Sequence, residues 1–211
     1  AAGRVMIIGG GVVGFNAARI AIGMGAETCI LDRSLERLRE LDALLGNRCS
    51  TIFSTTLSID EMLPEVDLVI GAVLVRGAKA PYVVTRSQLR LMKPHAVLVD
   101  VSIDQGGCFE TSKPTTHSNP TYEVDEVSHY CVANMPGAVP ITSTHALTNA
   151  TLPYILKLAG LGVQQATASD HGLMNGLNVV AGEVTYAPIA RDQSTTYTNP
   201  ETVFGTRAVT A

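Results

Sequence analysis

Arg4-Val-Met-Ile-Ile-Gly-Gly-Gly-Val-Val-Gly14 decides the fold, and Cys29-Ile-Leu-Asp32 completes its meaning. The apolar run Val5 to Ile8 reads as a buried parallel strand. It runs straight into Gly9, Gly11 and Gly14 at G-x-G-x-x-G spacing. Gly9 permits a tight turn, Gly11 lets backbone approach a diphosphate, and Gly14 lets a helix pack close to the strand. Phe15 to Met24 then reads as that helix. Its N-terminus, with Val12 and Val13, presents free N–H groups and a partial positive charge to an anion. Glu27 to Leu31 reads as a second strand, and Asp32 follows eighteen residues after Gly14. A carboxylate there can accept both ribose hydroxyls of an adenosine half. It would repel a 2′-phosphate by about 4 kcal/mol at about 4 Å near a protein surface. The pattern therefore favours NAD over NADP, and the neighbouring Arg33 can offset part of the repulsion. A lone G-x-G-x-x-G is a weak motif; its place between a strand and a helix, with an acid after the second strand, gives it force.

The totals set outer bounds. With 211 residues, 46% of them apolar, the chain can bury a sizeable core. A formal charge of −4 argues against a nucleic-acid surface. No run of eighteen apolar residues predicts a membrane span. The four cysteines (Cys29, Cys49, Cys108, Cys131) have no C-x-x-C or metal spacing, which fits a reducing, cytoplasmic setting. The five histidines are scattered and read as surface or capping residues, not as members of a triad or metal site. The chain opens Ala-Ala-Gly, without Met, and enters its first strand at once. Processing, or a longer parent protein, is the expectation.

Further along, Leu35, Leu38, Leu41 and Leu45 repeat at helical spacing behind Ser34, a candidate N-cap. Arg33 and Arg37 can either face an adenosine edge or lie on a solvated helix face; spacing leaves both open. Cys49 to Phe53 reads as a third strand, Ile59 to Leu63 as a brief helix, Asp67 to Val75 as a fourth strand, and Ser87 to Met92 as a short helix. The loop Arg76 to Pro81 leaves the fourth strand's carboxyl end, the side where open parallel sheets bind ligands. Val73 and Leu74 then lie near a nicotinamide half, or are plain core. Ala96 to Val101 reads as a fifth strand. Asp104 follows it, ahead of Gly106 and Gly107, and can meet a substrate amine or a water, or simply cap local backbone. Residues 111–121 read as a loop and Tyr130 to Val132 as a sixth strand. Asn134 can hydrogen-bond an amide and Met135 can pack on a flat ring, though a turn residue and a core filler serve equally well. From Ser143 or Thr142 to about Ala159 runs a connector helix, expected to kink at Pro153 and to end at Gly160 and Gly162. A short helix is expected within Val179 to Ile189, ahead of a Thr-rich tail.

The order of elements predicts an α/β Rossmann fold: a doubly wound parallel sheet in strand order 3-2-1-4-5-6, followed by a connector helix that leads to something else. Residues 1–140 form the dinucleotide-binding part.

Five strings carry a resemblance. They are Ile8-Gly-Gly-Gly-Val-Val-Gly-Phe-Asn-Ala-Ala-Arg19, Val69-Ile-Gly-Ala-Val-Leu-Val75 with Gly77-Ala-Lys-Ala-Pro81, Asp100-Val-Ser-Ile-Asp-Gln-Gly-Gly-Cys-Phe-Glu110, Tyr130-Cys-Val-Ala-Asn-Met-Pro136, and Ala146-Leu-Thr-Asn-Ala-Thr-Leu-Pro-Tyr-Ile-Leu156. From residue 4 to about residue 187 the chain resembles the bacterial alanine dehydrogenase family. The alpha chain of the membrane-linked nicotinamide nucleotide transhydrogenase is a relative of that family. The resemblance implies NAD-dependent, reversible oxidation of L-alanine to pyruvate and ammonium. It implies Asp104 at the substrate, and Gly11, Asp32, Arg37, Val73, Leu74, Val101, Asn134 and Met135 along the cofactor. It further implies that residues 141–211 are the connector helix and the carboxyl-terminal part of a partial second domain, and that the protein is a homo-oligomer, hexameric in the family. An amino-terminal segment carrying the substrate clamp and the acid–base groups has no match in this chain, so the chain alone is expected to bind NAD without turnover. Two rival readings are a dinucleotide-binding module with no chemistry and a transhydrogenase-like domain that passes hydride to a partner.

Overall fold

The computed structural model describes residues 1–75 and 81–206. Among them, 1–75 with 81–135 form one compact unit, and 136–206 form a second. The expected loop Arg76 to Pro81 and the end of the Thr-rich tail fall largely outside the described residues.

The first unit is built on β1 (Arg4–Ile8), α1 (Val12–Gly23), β2 (Glu27–Asp32), α2 (Leu35–Leu45), β3 (Cys49–Phe53), α3 (Thr56–Met62), β4 (Leu68–Gly71) and β5 (Val97–Asp100). Its sheet has the order β3-β2-β1-β4-β5, then β7 (Val127–Tyr130) and β6 (Thr121–Val124). The pairings from β3 through β7 are parallel, with Met6 opposite Cys29 and Ile7 opposite Ile30. Side chains alternate across a strand, so β1 feeds two cores. Val5 and Ile7 join Ala18, Ile30, Leu41 and Leu45 on one face, while Met6 and Ile8 join Leu31, Val69, Leu98 and Phe109 on the other. This is why the strand sequences are continuous apolar runs.

Helix α1 lies close to the sheet because Gly14, Ala18 and Ala21, its buried stripe, are all small. In α2, Ser34 accepts a hydrogen bond from the Arg37 N–H, and Leu38, Leu41 and Leu45 face the core. Thr55 and Ser58 form a reciprocal capping box that starts α3 three residues before the expected Ile59.

Several expectations are corrected. The sixth strand spans Val127–Tyr130, not 130–132, and belongs to a hairpin that adds an antiparallel edge strand, Thr121–Val124. Asp125 and Glu126 make its two-residue turn at φ 50° and 63°. Such turns usually advertise themselves with Asn-Gly or Asp-Gly, and this one carries no glycine. The fourth strand stops at Gly71, not Val75. A Cβ at Gly71 would overlap Cys108 and Phe109, whose side chains pack against that strand end. His129 lies fully buried, stacked on Tyr122 at 5.0 Å and bonded to Thr111 Oγ1 at 2.8 Å.

The second unit is led by α4 (Pro140–Ser169). It begins with proline at its first position, where a missing N–H costs nothing, and not at Thr142 or Ser143. Its one internal departure from helical geometry is Gly162, at φ 72° and ψ 165°, where two helices meet. The first of these helices therefore ends at Gly162, one of the two glycines expected to end it, while Pro153 keeps helical dihedrals. Asp170 accepts from the Gly172 and Leu173 N–H groups to start α5 (His171–Asn175), and pairs with Lys157 at 2.8 Å. The expected helix within Val179 to Ile189 is instead a small ribbon, β8 (Val179–Val180) with β9 (Glu183–Val184), followed by α6 (Ala187–Asp192). The last described element is α7 (Pro200–Thr206). No helix among the described residues is long and apolar enough to cross a membrane.

Candidate functional site

The carboxyl ends of β1, β2 and β4 surround a cleft of about 460 Å³. Strand order reverses between β1 and β4, so the cleft opens at the switch point of the sheet.

Its floor is the glycine turn. The Gly9 N–H donates to the Leu31 carbonyl at 2.8 Å, and φ is 106°, a conformation that a side chain resists. A Cβ at Gly9 would stand 2.5 Å from the Ala72 carbonyl oxygen, and one at Gly14 would overlap the Gly9 carbonyl. Gly11 is different: a Cβ there would meet nothing within 4 Å. The space above its backbone is open, as a cradle for a bulky group must be. Gly11 also caps α1 without a side-chain hydrogen bond. The first bond of the helix is Phe15 N–H to the Gly11 carbonyl, which leaves the N–H groups of Val12, Val13 and Gly14 outside the helical ladder. The Val12 and Val13 side chains stand exposed beside them, at 79% and 46%.

Asp32 ends β2 on the wall of the cleft. Its Oδ2 accepts from the Gly10 N–H at 2.7 Å and its Oδ1 from the Ser34 N–H at 2.8 Å. Each oxygen keeps a further lone pair for a ligand hydroxyl. Arg33 lines the same cleft, with Ser54, Thr55, Val73 and Leu74. Arg37 does not line it. Its Nε donates to the Gly10 carbonyl at 2.7 Å, Nη1 pairs with Glu40, and the guanidinium lies 5.9 Å from the Phe15 ring. It braces the turn from behind. The cleft thus gathers Gly9, Gly11, Asp32, Arg33, Val73 and Leu74.

Asp104, Val101, Asn134 and Met135 are not among the residues that line this cleft. Asp104 sits in a short turn, Ile103–Gln105, closed by Gly106 at φ 90°. Both of its carboxylate oxygens accept from the Asn134 N–H at 3.3 Å. Asn134 has φ 54°, and its carbonyl accepts from His117 Nε2 at 3.1 Å. The Val101 N–H donates to the Gly71 carbonyl at 2.9 Å, and Met135 is half-buried. Ser102 links the two groups, because its Oγ donates to the Val73 carbonyl at 2.7 Å.

Asp100 and Ser102 escape a reading that stops at the exposed acid of the loop. An acid closing a buried strand just before Ser and Gly-Gly is the available clue. Burial and the adjacent Asp100 push the Cys108 thiol well above its ordinary range. Burial lifts Cys29 to about 12 and Cys49 to about 11. All four cysteines are free and buried, which makes them packing groups and not nucleophiles. Among the described residues, no group of His, Cys, Asp or Glu is placed to hold a metal ion. What remains is suited to an anion at a helix N-terminus, a diol at Asp32, and a hydrogen-bonded carboxylate at the loop.

Residues 1–187 match the family model described as alanine dehydrogenase/PNT, C-terminal domain. The alanine dehydrogenase of Halomonas elongata is 57% identical over 202 residues, which are 96% of this chain and 54% of that protein. A solved L-alanine dehydrogenase superposes with a TM-score of 0.79 at 48% identity, over 91% of this chain and 53% of its own. A transhydrogenase from Sinorhizobium meliloti superposes with a TM-score of 0.60 at 28% identity, over 67% and 40%. The chain spans about half the length of the curated relatives it matches.

Proposed function

The chain belongs to the alanine dehydrogenase/PNT family as a C-terminal domain, and on that premise we propose that its cleft holds NAD and that the whole protein oxidises L-alanine to pyruvate and ammonium, reversibly. Residues 1–140 serve dinucleotide binding. Residues 141–211 form the connector and the carboxyl-terminal part of a substrate domain, whose amino-terminal part another segment supplies. The enzyme works as a homo-oligomer in the cytoplasm.

One observation carries the reading. The open backbone of Gly11 and the carboxylate of Asp32 border a single cleft at the switch point of the sheet. The turn fits a diphosphate: its glycines clear the approach, and the first N–H groups of α1 can receive the charge. Asp32 takes the ribose hydroxyls of the adenosine half. Val73 and Leu74 lie along the path towards the nicotinamide half, with Val101, Asn134 and Met135 beyond. NAD, when bound, supplies the hydride acceptor. The chain's own tasks are to orient that carrier, to keep its adenosine half fixed, and to place a carboxylate near the reacting carbon. Asp104 performs the last of these: it accepts from the substrate amine or from the water that releases ammonium. The Asn134 N–H keeps that carboxylate turned towards one side of the loop.

Calorimetric titration of the chain with NAD and with NADP tests the reading. Saturable NAD binding, at least tenfold tighter than NADP, is expected, and absence of NAD binding overturns it. Alanine added to the NAD-loaded chain should give no NADH, because the clamp and the acid–base groups belong to the other segment. Hydride exchange between two nucleotides, without an amino acid, would instead favour the transhydrogenase-like reading.

A further inference from the structure

Asp100 ends β5 with no exposed surface, yet it carries a carboxylate. None of the ion pairs among the described residues involves it. A buried carboxylate without a cation is costly unless donors surround it. Five do. Oδ1 accepts from the Ser102 N–H at 2.9 Å and from the Cys108 thiol at 3.4 Å. Oδ2 accepts from the Cys108 N–H at 2.9 Å, from the Phe109 N–H at 3.3 Å and from Ser112 Oγ. The chain must coil back to bring residues 102, 108, 109 and 112 to one point. Gly107 makes this possible. It has φ 76°, and a Cβ there would stand 2.9 Å from Oδ2. Between the tied residues 102 and 108, Ile103 is buried, and Asp104 and Gln105 are left exposed in the short turn Ile103–Gln105.

The same carboxylate reaches the cleft by a second route. It holds the Ser102 N–H, and Ser102 Oγ holds the Val73 carbonyl. One buried group thereby ties down both the turn that holds Asp104 and the segment that follows β4 at Val73. We propose that Asp100 is a positioning residue for the nicotinamide half of the dinucleotide, acting through Asp104 on one side and through Ser102 and Val73 on the other. It touches neither cofactor nor substrate. The inference rests on the dinucleotide reading above.

The test uses two ligands and two variants of this chain. ADP-ribose has both phosphates and both riboses but no nicotinamide, so it reports the glycine turn and Asp32 alone; NAD reports both ends. Asp100→Asn keeps the volume and replaces one acceptor with an amide. It should weaken NAD at least fivefold, leave ADP-ribose within twofold, and move the Asn134 amide resonance, whose N–H rests on Asp104. Ser102→Ala removes only the Val73 link. It should weaken NAD about threefold, leave ADP-ribose within twofold, and leave the Asn134 resonance in place. Equal weakening of both ligands would reduce Asp100 to a structural residue and overturn the proposal. Unchanged NAD affinity in Asp100→Asn, or an Asn134 amide that does not move, would overturn it too. If Asp100→Asn does not fold, Ser102→Ala decides by the same ligand comparison. A wild-type chain that binds neither ligand removes the dinucleotide reading and this inference with it. A wild-type chain that binds both, beside variants that bind NAD normally, removes the inference alone.

Discussion

The glycine turn and the Asp100 loop both stand at the carboxyl edge of one sheet, and they hold their shapes by opposite means. The turn is shaped by what is missing. Gly9 and Gly14 leave room for backbone to touch backbone, and Gly11 leaves room for something that is not protein. The loop is shaped by what is present: the buried side chain of Asp100 collects donors from four residues and ties the chain around itself. A site built on absent side chains tolerates no additions. A site built on a buried polar hub tolerates no loss of partners, because each orphaned group bears its full desolvation cost.

The sharpest way to break the contrast is Gly14→Ala. The new methyl would collide with the Gly9 carbonyl, and neither backbone can yield without moving β1 or α1. A loss of about 3 kcal/mol in stability is expected, of the size seen for overpacked cores. It should appear as a lower urea midpoint, and ligand binding should vanish with it. A variant as stable as the parent would show that the close packing described for the turn is wrong. Gly11→Ala should separate fold from function. The methyl enters open space at an ordinary φ of −66°, so stability should change by less than about 1 kcal/mol. NAD affinity should nonetheless fall at least thirtyfold in calorimetry. Normal affinity would mean that nothing bulky rests on Gly11.

The smallest effect belongs to the loop side. Burial holds His129 below its ordinary value of 6.5, which disfavours its protonated form in the fold. Below pH 6.5 the unfolded chain takes up this proton more readily than the folded chain. Stability from this group is therefore complete above pH 6.5 and declines as the pH falls, by at most about 1.4 kcal/mol per pH unit. Urea unfolding at pH 7.5 and pH 5.5 should show the decline, and His129→Gln should flatten it. An unchanged slope in that variant would assign the acid sensitivity to other groups.

The two regions also differ in how much of each is readable before folding. Gly9, Gly11 and Gly14 act within six residues of one another, and their meaning is steric. Spacing along the chain is nearly spacing in space, so turn, strand, helix and the acid at Asp32 all follow from order. The parallel sheet follows as well, since runs such as Val5 to Ile8 are apolar on both faces only when both faces are covered. The role of Arg37 is less local. Helical spacing leaves it free to face a ligand or solvent, and only the approach of α2 to the turn gives its Nε the Gly10 carbonyl.

The hairpin at residues 121–130 lies further from reach. Its turn residues, Asp125 and Glu126, carry no glycine, and its strands mix polar with apolar side chains. Pairing with β5 and the stacking of Tyr122 on His129 decide it. The break of α4 at Gly162 is by contrast legible in the sequence, where a glycine marks the expected end of the connector helix. Amino-acid order alone settles the dinucleotide-type fold and the place of its glycine turn, because those depend on sterics among near neighbours. Tertiary contact settles which carboxylate is an anchor and which is presented. Asp100 and Asp104 stand four residues apart with the same chemistry, and burial among distant donors makes the difference between them.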